Sequence, residues 1–147
     1  MRLEDSIVIQ RSSRQIYDLI KDVERHAQLL PGYIESRIVE RKNGSYIVQR
    51  EALMAGRVRR WKSEIWMEDG KCMHFRQVEG PLAGMHVRWV LEPHEEATRM
   101  SIIHDVRMKP RWKGWWFERW VAKPAIERTA REVLNAIKNV AEKETFS

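Results

Sequence analysis

The chain has a single cysteine, Cys72, so it can form no internal disulfide, and its composition gives no sign of an oxidising compartment. It also lacks any apolar run close to the roughly 20 residues of a membrane-spanning helix. The opening stretch MRLEDSIVIQRSS carries acidic charges near its start, which is unlike a signal peptide. Together these absences predict a cytoplasmic protein.

Familiar catalytic signatures are missing as well. The sequence contains no GxSxG nucleophile motif, no HExxH zinc motif and no glycine-rich phosphate loop. Cys72 and His74 are two residues apart and could face the same way, but two ligands do not make a zinc site. The sequence therefore assigns no catalytic residue, no metal and no cofactor.

What the chain does have is the composition of an ordinary globular domain. It contains 147 residues, 43% of them hydrophobic and 33% charged, which is enough to bury a core and predicts one domain over residues 1–147. Its formal net charge of +6 allows attraction to phosphates, lipid head groups or acidic ligands, although such basicity is also common in soluble proteins. The seven tryptophans are conspicuous beside three phenylalanines and three tyrosines.

The N-terminal third predicts a strand followed by two short helices. Residues 3–10 read as a strand, and the SSRQ sequence that follows is a capping box with Ser12 as N-cap and Gln15 three residues later. A second helical piece, ERHAQLL, is stopped by Pro31. Beyond it the hydrophobic period changes to that of strands.

Six strands are predicted between residues 33 and 108, joined by short turns that include the hairpin signals Asn43-Gly44 and Asp69-Gly70. Alternation in the first of them puts Ile34, Ser36 and Ile38 on one face. From residue 114 a helical pattern returns and runs to the end of the chain, with Pro124 expected to kink or restart the helix. The order predicts an α+β fold with an antiparallel meander and a long closing helix.

Several short motifs resemble those of one known protein superfamily. Leu30-Pro31 resembles the end of that group's second helix, Trp61 and Ser63 resemble its "W.S" element, and IKNVAE resembles the end of its closing helix. Gly84, Trp89 and Pro93 resemble its "G…W.f.P" strand. The motifs resemble those of the START-like, polyketide cyclase/dehydrase superfamily, which includes birch-pollen-allergen-like proteins. The resemblance covers nearly the whole chain and is nearest in appearance to coenzyme-Q-binding START proteins.

This resemblance implies the helix-grip fold, in which a curved seven-stranded antiparallel sheet wraps around a long C-terminal helix and leaves a cavity between them. The cavity would bind or transport a hydrophobic small molecule: an isoprenoid quinone, a lipid or a polyketide, in that order. The resemblance and the strand alternation together nominate nine ligand-binding residues: Arg59, Trp61, Ser63, Phe75, Trp89, Met100, His104, Trp116 and Trp120.

Alternatives remain open for three of these residues. Arg59 either meets an anionic group or lies at the strand mouth with its charge in water. Trp61 is either core or ligand wall. His104 is either a hydrogen-bonded core residue or a donor or base that faces the cavity.

A polyketide cyclase/dehydrase-type enzyme is the second hypothesis. Aromatase/cyclase relatives are thought to use an arginine soon after the strand serine, and here Ile65 stands at roughly that position. This departure weakens the cyclase interpretation unless Arg59 and His104 substitute for the missing group.

The segment KPRWKGWWFERW, at residues 109–120, mixes tryptophan with Lys and Arg, as membrane interfaces do. One hypothesis is a rim that contacts anionic membranes transiently; the alternative is a buried aromatic core with solvated charges around it. The residues assigned to this membrane rim are Lys109, Arg111, Trp112, Lys113 and Trp115.

The same mixture suits RNA, and one branch of the superfamily is described as ribosome-associated toxins. We treat RNA or the ribosome as the less favoured partner because the sequence has no RNA-recognition signature. The oligomeric state is left open.

Overall fold

The computed structural model describes residues 1–106 and 122–144 of the chain. One antiparallel sheet has the strand order β1-β7-β6-β5-β4-β3-β2. The strands are β1 (Arg2–Ile9), β2 (Tyr33–Lys42), β3 (Ser45–Met54), β4 (Arg57–Glu68), β5 (Cys72–Glu79), β6 (His86–His94) and β7 (Ala97–Asp105). The helices are α1 (Ser13–Ile20), α2 (His26–Leu29) and α3 (Lys123–Lys143), with a 3-10 turn at Val23–Arg25 before α2. The predicted α+β helix-grip architecture is confirmed.

Strand β1 pairs with the last strand, β7, while β2 to β7 follow one another as a meander. The two short helices therefore carry the chain from one edge of the sheet to the other. The predicted hairpin at Asn43-Gly44 joins β2 to β3, and Gly44 takes a φ of +89°, which glycine adopts readily.

Helix α1 begins with the predicted capping box. The Ser12 hydroxyl accepts a hydrogen bond from the backbone N–H of Gln15, and the Gln15 side chain accepts one from the backbone N–H of Ser12. These bonds satisfy backbone groups that the helix itself cannot pair. The apolar face of α1 is buried against the core. It consists of Ile16, Leu19 and Ile20, with Tyr17 beside them.

Helix α3 packs against the sheet, principally along β1. Pro124 lies in its first turn, where a missing N–H is tolerated. The predicted kink or restart depends on residues before 122, which lie outside the described residues. Its buried face is Ile126, Ala130, Val133, Leu134, Ile137 and Ala141. None of the helices in the described ranges has the length and hydropathy needed to cross a membrane.

Strand alternation places the predicted residues as expected, with an exception in β2. Ser36 is buried and Ile38 is half-buried, but the side chain of Ile34 is 53% exposed. The pairing register of β2 and β3 shifts between Tyr33 and Glu35, so Tyr33 turns toward the core and Ile34 turns away from it. The prediction for Ile34 was wrong because a bulge changes the face of every residue on one side of it.

Candidate functional site

A group of polar side chains lies on the inner face of the sheet, where β2 and β3 meet the short helices. We call Tyr33, His26, Ser36 and Arg50 the inner polar cluster. Arg50 is only 3% exposed. Its Nη1 donates hydrogen bonds to His26 Nδ1 at 2.9 Å and to Ser36 Oγ at 3.1 Å, and its Nη2 lies 3.5 Å from the Tyr33 hydroxyl.

The donor and acceptor roles in this cluster follow from its backbone partners. His26 Nε2 lies 2.7 Å from the carbonyl of Ile20, which can only accept, so Nδ1 is free to accept from Arg50. The Ser36 hydroxyl donates to the carbonyl of Val23 at 2.5 Å and so accepts from Arg50. Burial, and then the positive charge of Arg50, lower the pKa of His26 to about 3, so its ring is neutral at pH 7.

Aromatic rings continue the inner face from this cluster toward β6. The Phe75 and Trp89 rings lie 4.7 Å apart, and Trp89 stacks on His26 at 5.3 Å. The Arg50 guanidinium lies 4.9 Å from the ring centre of Tyr33 and 5.6 Å from that of Phe75. These cation–π contacts stabilise a charge held out of water.

Arg50 has no counter-charge within the described residues. Its recorded partners there are the neutral groups of His26, Ser36 and Tyr33, and its Nε is buried without a hydrogen-bond partner. A buried guanidinium is costly unless an anion or a full set of acceptors compensates it.

A pocket of about 290 Å³ opens between β1, β7 and helix α3. Its apolar walls are Leu3, Ile102, Ile126 and Ala130, and its acidic lining residues are Glu4, Asp5 and Glu127. His104 also lines it, and across the described ranges no protein group hydrogen-bonds its ring. Burial lowers the pKa of His104 to about 4, against an opposing effect of Asp105, so the pocket contains a neutral imidazole.

Most of the other nominated residues within the described ranges lie along the same inner face. Ser63, Phe75, Trp89 and Met100 are buried, and Trp61 is half-buried with its ring edge-on to Tyr33 at 5.9 Å. Arg59 is exposed near the β3–β4 turn, which is the strand-mouth position. The residues Lys109, Arg111, Trp112, Lys113, Trp115, Trp116 and Trp120 lie outside the described residues.

Sequence reasoning missed Arg50 and His26. The signal for Arg50 was present in the strand SYIVQREALM, because alternation puts it on the same face as the buried Val48 and Ala52. His26 carried no such signal, since its helix is only four residues long.

Another group of donors lies on the opposite face of the sheet. The ligand atoms of Glu68, Cys72 and His74 all lie within 4.8 Å of one another and could hold a metal ion. His74 Nε2 is 2.7 Å from the Glu68 carboxylate, and its Nδ1 is 3.1 Å from His86 Nε2. Burial and the neighbouring Glu68 raise the pKa of the Cys72 thiol to about 11, which disfavours the thiolate that a metal requires. The sequence pattern had identified two of these three donors.

A family model described as "Polyketide cyclase / dehydrase and lipid transport" matches residues 9–138. The ribosome association toxin RatA of Escherichia coli (strain K12) is 25% identical over 105 residues, which are 71% of this chain and 66% of that protein. RatA of Vibrio cholerae (strain ATCC 39541) is 24% identical over 92 residues, 63% of this chain and 64% of that protein. The chain thus spans slightly less than two thirds of the length of these relatives.

Solved structures share the fold at low sequence identity. The Zhui aromatase/cyclase from Streptomyces sp. R1128 superimposes with a TM-score of 0.85 at 21% identity, covering 97% of this chain and 94% of that one. TTHA0849 from Thermus thermophilus gives a TM-score of 0.82 at 18% identity, covering 96% and 97%. Ara h 8.0201 gives 0.70 at 11% identity, covering 98% and 99%. At these identities the likeness shows the fold alone.

Proposed function

Because the chain belongs to the polyketide cyclase/dehydrase and lipid transport family, we propose that it binds or transports a hydrophobic small molecule between the sheet and helix α3. The observation that carries the proposal is the pocket between β1, β7 and α3, where apolar walls and three acidic residues surround a neutral His104 without a partner in the described ranges. Apolar walls with a few placed polar groups are what small-molecule sites have in common. We propose that residues 1–147 act as one domain.

The candidate ligands are an isoprenoid quinone, a lipid or a polyketide. In this proposal His104 lines the pocket itself, and the rest of the ligand wall is formed by residues elsewhere on the inner face: Trp61, Ser63, Phe75, Trp89 and Met100. Trp116 and Trp120 would complete it from the closing segment, and Arg59 would stand at the mouth.

The experiment is a titration with N-phenyl-1-naphthylamine, a neutral apolar fluorophore whose emission rises in an apolar site. Ala130 is buried in the pocket wall, so Ala130→Phe should fill the pocket and weaken binding about tenfold or more. Ala125→Phe on the exposed side of the same helix is the matched control. An unchanged emission with the wild-type chain, or equal binding by the two variants, would contradict the proposal.

An enzyme of the cyclase/dehydrase type is the second candidate, and the observation that favours it is again His104. A neutral imidazole in a pocket can accept a proton at one nitrogen and donate one at the other. Incubation with a poly-β-ketone thioester and analysis of the products tests it. Cyclised product from the wild type, lost in His104→Gln, is the expected result; uncyclised material alone would contradict it.

The RatA relatives favour a third candidate, association with ribosomes or RNA, which the net charge of +6 would assist. Co-sedimentation with ribosomes at low and high salt tests it, because binding through phosphates weakens steeply with salt. Absence of binding at low salt would remove this candidate.

We also propose that the chain is a cytoplasmic protein that contacts anionic membranes transiently, as a peripheral protein. The contact would be made by the rim residues Lys109, Arg111, Trp112, Lys113 and Trp115. Co-sedimentation with anionic vesicles should fall in the Trp112→Ala/Trp115→Ala variant. Vesicle binding that is absent, or unchanged by the substitution, would end this proposal.

A further inference from the structure

Only part of the Arg50 guanidinium makes short hydrogen bonds to the described residues. Its Nη1 is occupied by His26 and Ser36, which hold it at 2.9 Å and 3.1 Å. Among the described residues its Nε has no partner, and its Nη2 has only a contact of 3.5 Å with the Tyr33 hydroxyl. Nε and Nη2 form one edge of the planar group, and their N–H bonds on that edge point in the same direction. This is the edge with which arginine binds a carboxylate through two parallel hydrogen bonds.

The surroundings of Arg50 fix its position without neutralising it. His26 stays neutral because burial holds its pKa near 3, and Ser36 and Tyr33 are uncharged. His26 and Ser36 are themselves tied to backbone carbonyls of Ile20 and Val23, so the cluster holds Nη1 in place. Within the described ranges the other edge has only the long contact of Nη2 with the Tyr33 hydroxyl. An aliphatic side chain at position 50 would fill the same core without the penalty of burying a charge.

We propose that Arg50 is the anchor for an acidic head group, and that the ligand is an amphiphile with an anionic oxygen group at one end. A carboxylate, or the enolate of a 1,3-diketone, would accept both hydrogen bonds of the Nε/Nη2 edge. The apolar remainder of the molecule would lie along Phe75 and Trp89, which adjoin the guanidinium on the inner face. This inference rests on the proposed function and narrows it, because a neutral quinone offers no such charge.

Two fluorophores with the same aromatic skeleton test the charge separately from the apolar site. N-phenyl-1-naphthylamine is neutral, and 1-anilinonaphthalene-8-sulfonate adds an anionic sulfonate. The wild-type chain should bind the sulfonate about 10- to 100-fold more tightly than the neutral probe, as hydrogen bonds to a buried charge imply. Arg50→Met should remove this preference, so that the ratio of the two affinities falls to about one.

Arg57→Met is the matched control, because it removes one positive charge from an exposed position. It should keep the preference for the sulfonate. Arg50→Lys keeps the charge but not the parallel fork, so its preference should lie between those of the wild type and Arg50→Met. If Arg50→Met fails to fold, the wild-type ratio and Arg50→Lys still decide the matter.

The outcomes separate this inference from the proposed function. Tight binding of the neutral probe without preference for the sulfonate, or a preference that survives Arg50→Met, overturns the acidic head group and leaves the apolar site intact. Failure of both probes overturns the proposed function and the inference together. Glu118 is the acidic residue that lies outside the described ranges. If Glu118→Gln and Arg50→Met act non-additively on the urea midpoint, the protein supplies its own counter-charge and the inference fails.

Discussion

Arg50 Nη1 and His26 Nδ1 lie 2.9 Å apart, so a buried positive charge on β3 is held by a neutral histidine at the start of α2. This bond ties the short helix to the inner face of the sheet. It also explains the state of His26: burial is the main cause of its lowered pKa, and the adjacent guanidinium is the second.

The first prediction concerns acid stability. The pKa of His26 is about 3 in the folded chain, below its ordinary 6.5, so the unfolded chain takes up the proton first. The contribution of His26 to stability is complete above pH 6.5 and is lost as the pH falls toward 3, by up to about 1.4 kcal/mol per pH unit. His104, with a pKa of about 4, acts in the same direction. Urea denaturation of the wild type and of His26→Gln, repeated across this pH range, measures how the free energy of unfolding changes with pH. A wild-type slope no steeper than that of the variant would contradict the assignment.

The second prediction concerns Met100, which was nominated as a ligand contact. Its side chain is 0% exposed and belongs to the main core, so Met100→Ala should lower the free energy of unfolding by about 2–5 kcal/mol. Arg99→Ala, at the exposed neighbouring position of β7, should change it by less than about 0.5 kcal/mol. Equal effects in denaturant titrations would show that the inner face near β7 is not packed as described.

The third prediction concerns Gly80, whose φ is +131°. A Cβ at this position would lie 2.7 Å from the Cβ of Trp61 and 3.0 Å from Gln77 Oε1. Gly80→Ala should therefore cost more than the roughly 1–3 kcal/mol of backbone strain alone, and it should displace Trp61. At Gly84, with a φ of +96°, a Cβ would meet nothing within 4 Å, so Gly84→Ala reports the strain without the crowding. Indistinguishable thermal midpoints for the two variants would be the contrary result.

The fourth prediction concerns the thiol of Cys72. It is buried, and its pKa is raised to about 11, so at pH 8 very little of it is thiolate. The native chain should react slowly with a disulfide reagent such as Ellman's reagent and rapidly once urea unfolds it. Immediate stoichiometric labelling of the native chain would mean that the thiol is accessible and activated.

Local chemistry let the sequence predict most of the fold. The Ser12/Gln15 capping box, the Asn43-Gly44 hairpin and the inward alternation from Trp61 to Ile65 each depend on a few neighbouring residues, and the structure has all three. Ile34 could not be placed because a bulge leaves no reliable mark in a sequence. The proline at position 124 indicates a helix boundary, but the sequence does not distinguish a kink from the start of a new helix.

The candidate site was harder to predict because it depends on contacts distant in the chain. Alternation placed Phe75, Trp89 and His104 on the inner face, but nothing in the sequence joined His26 to Arg50. Alternation along β3 marks Arg50 as inward-facing, but the partners that hold it are visible only in the folded chain. No residue pattern shows that Arg50 Nε lacks a hydrogen-bond partner among the described residues.

Native mass spectrometry of the chain, purified gently from its own host and followed by organic extraction, tests the central claim most directly. The account predicts a stoichiometric adduct that extraction identifies as an apolar small molecule. An unadducted mass, from a preparation that also fails to bind N-phenyl-1-naphthylamine, would contradict it and direct attention to the surface of the protein.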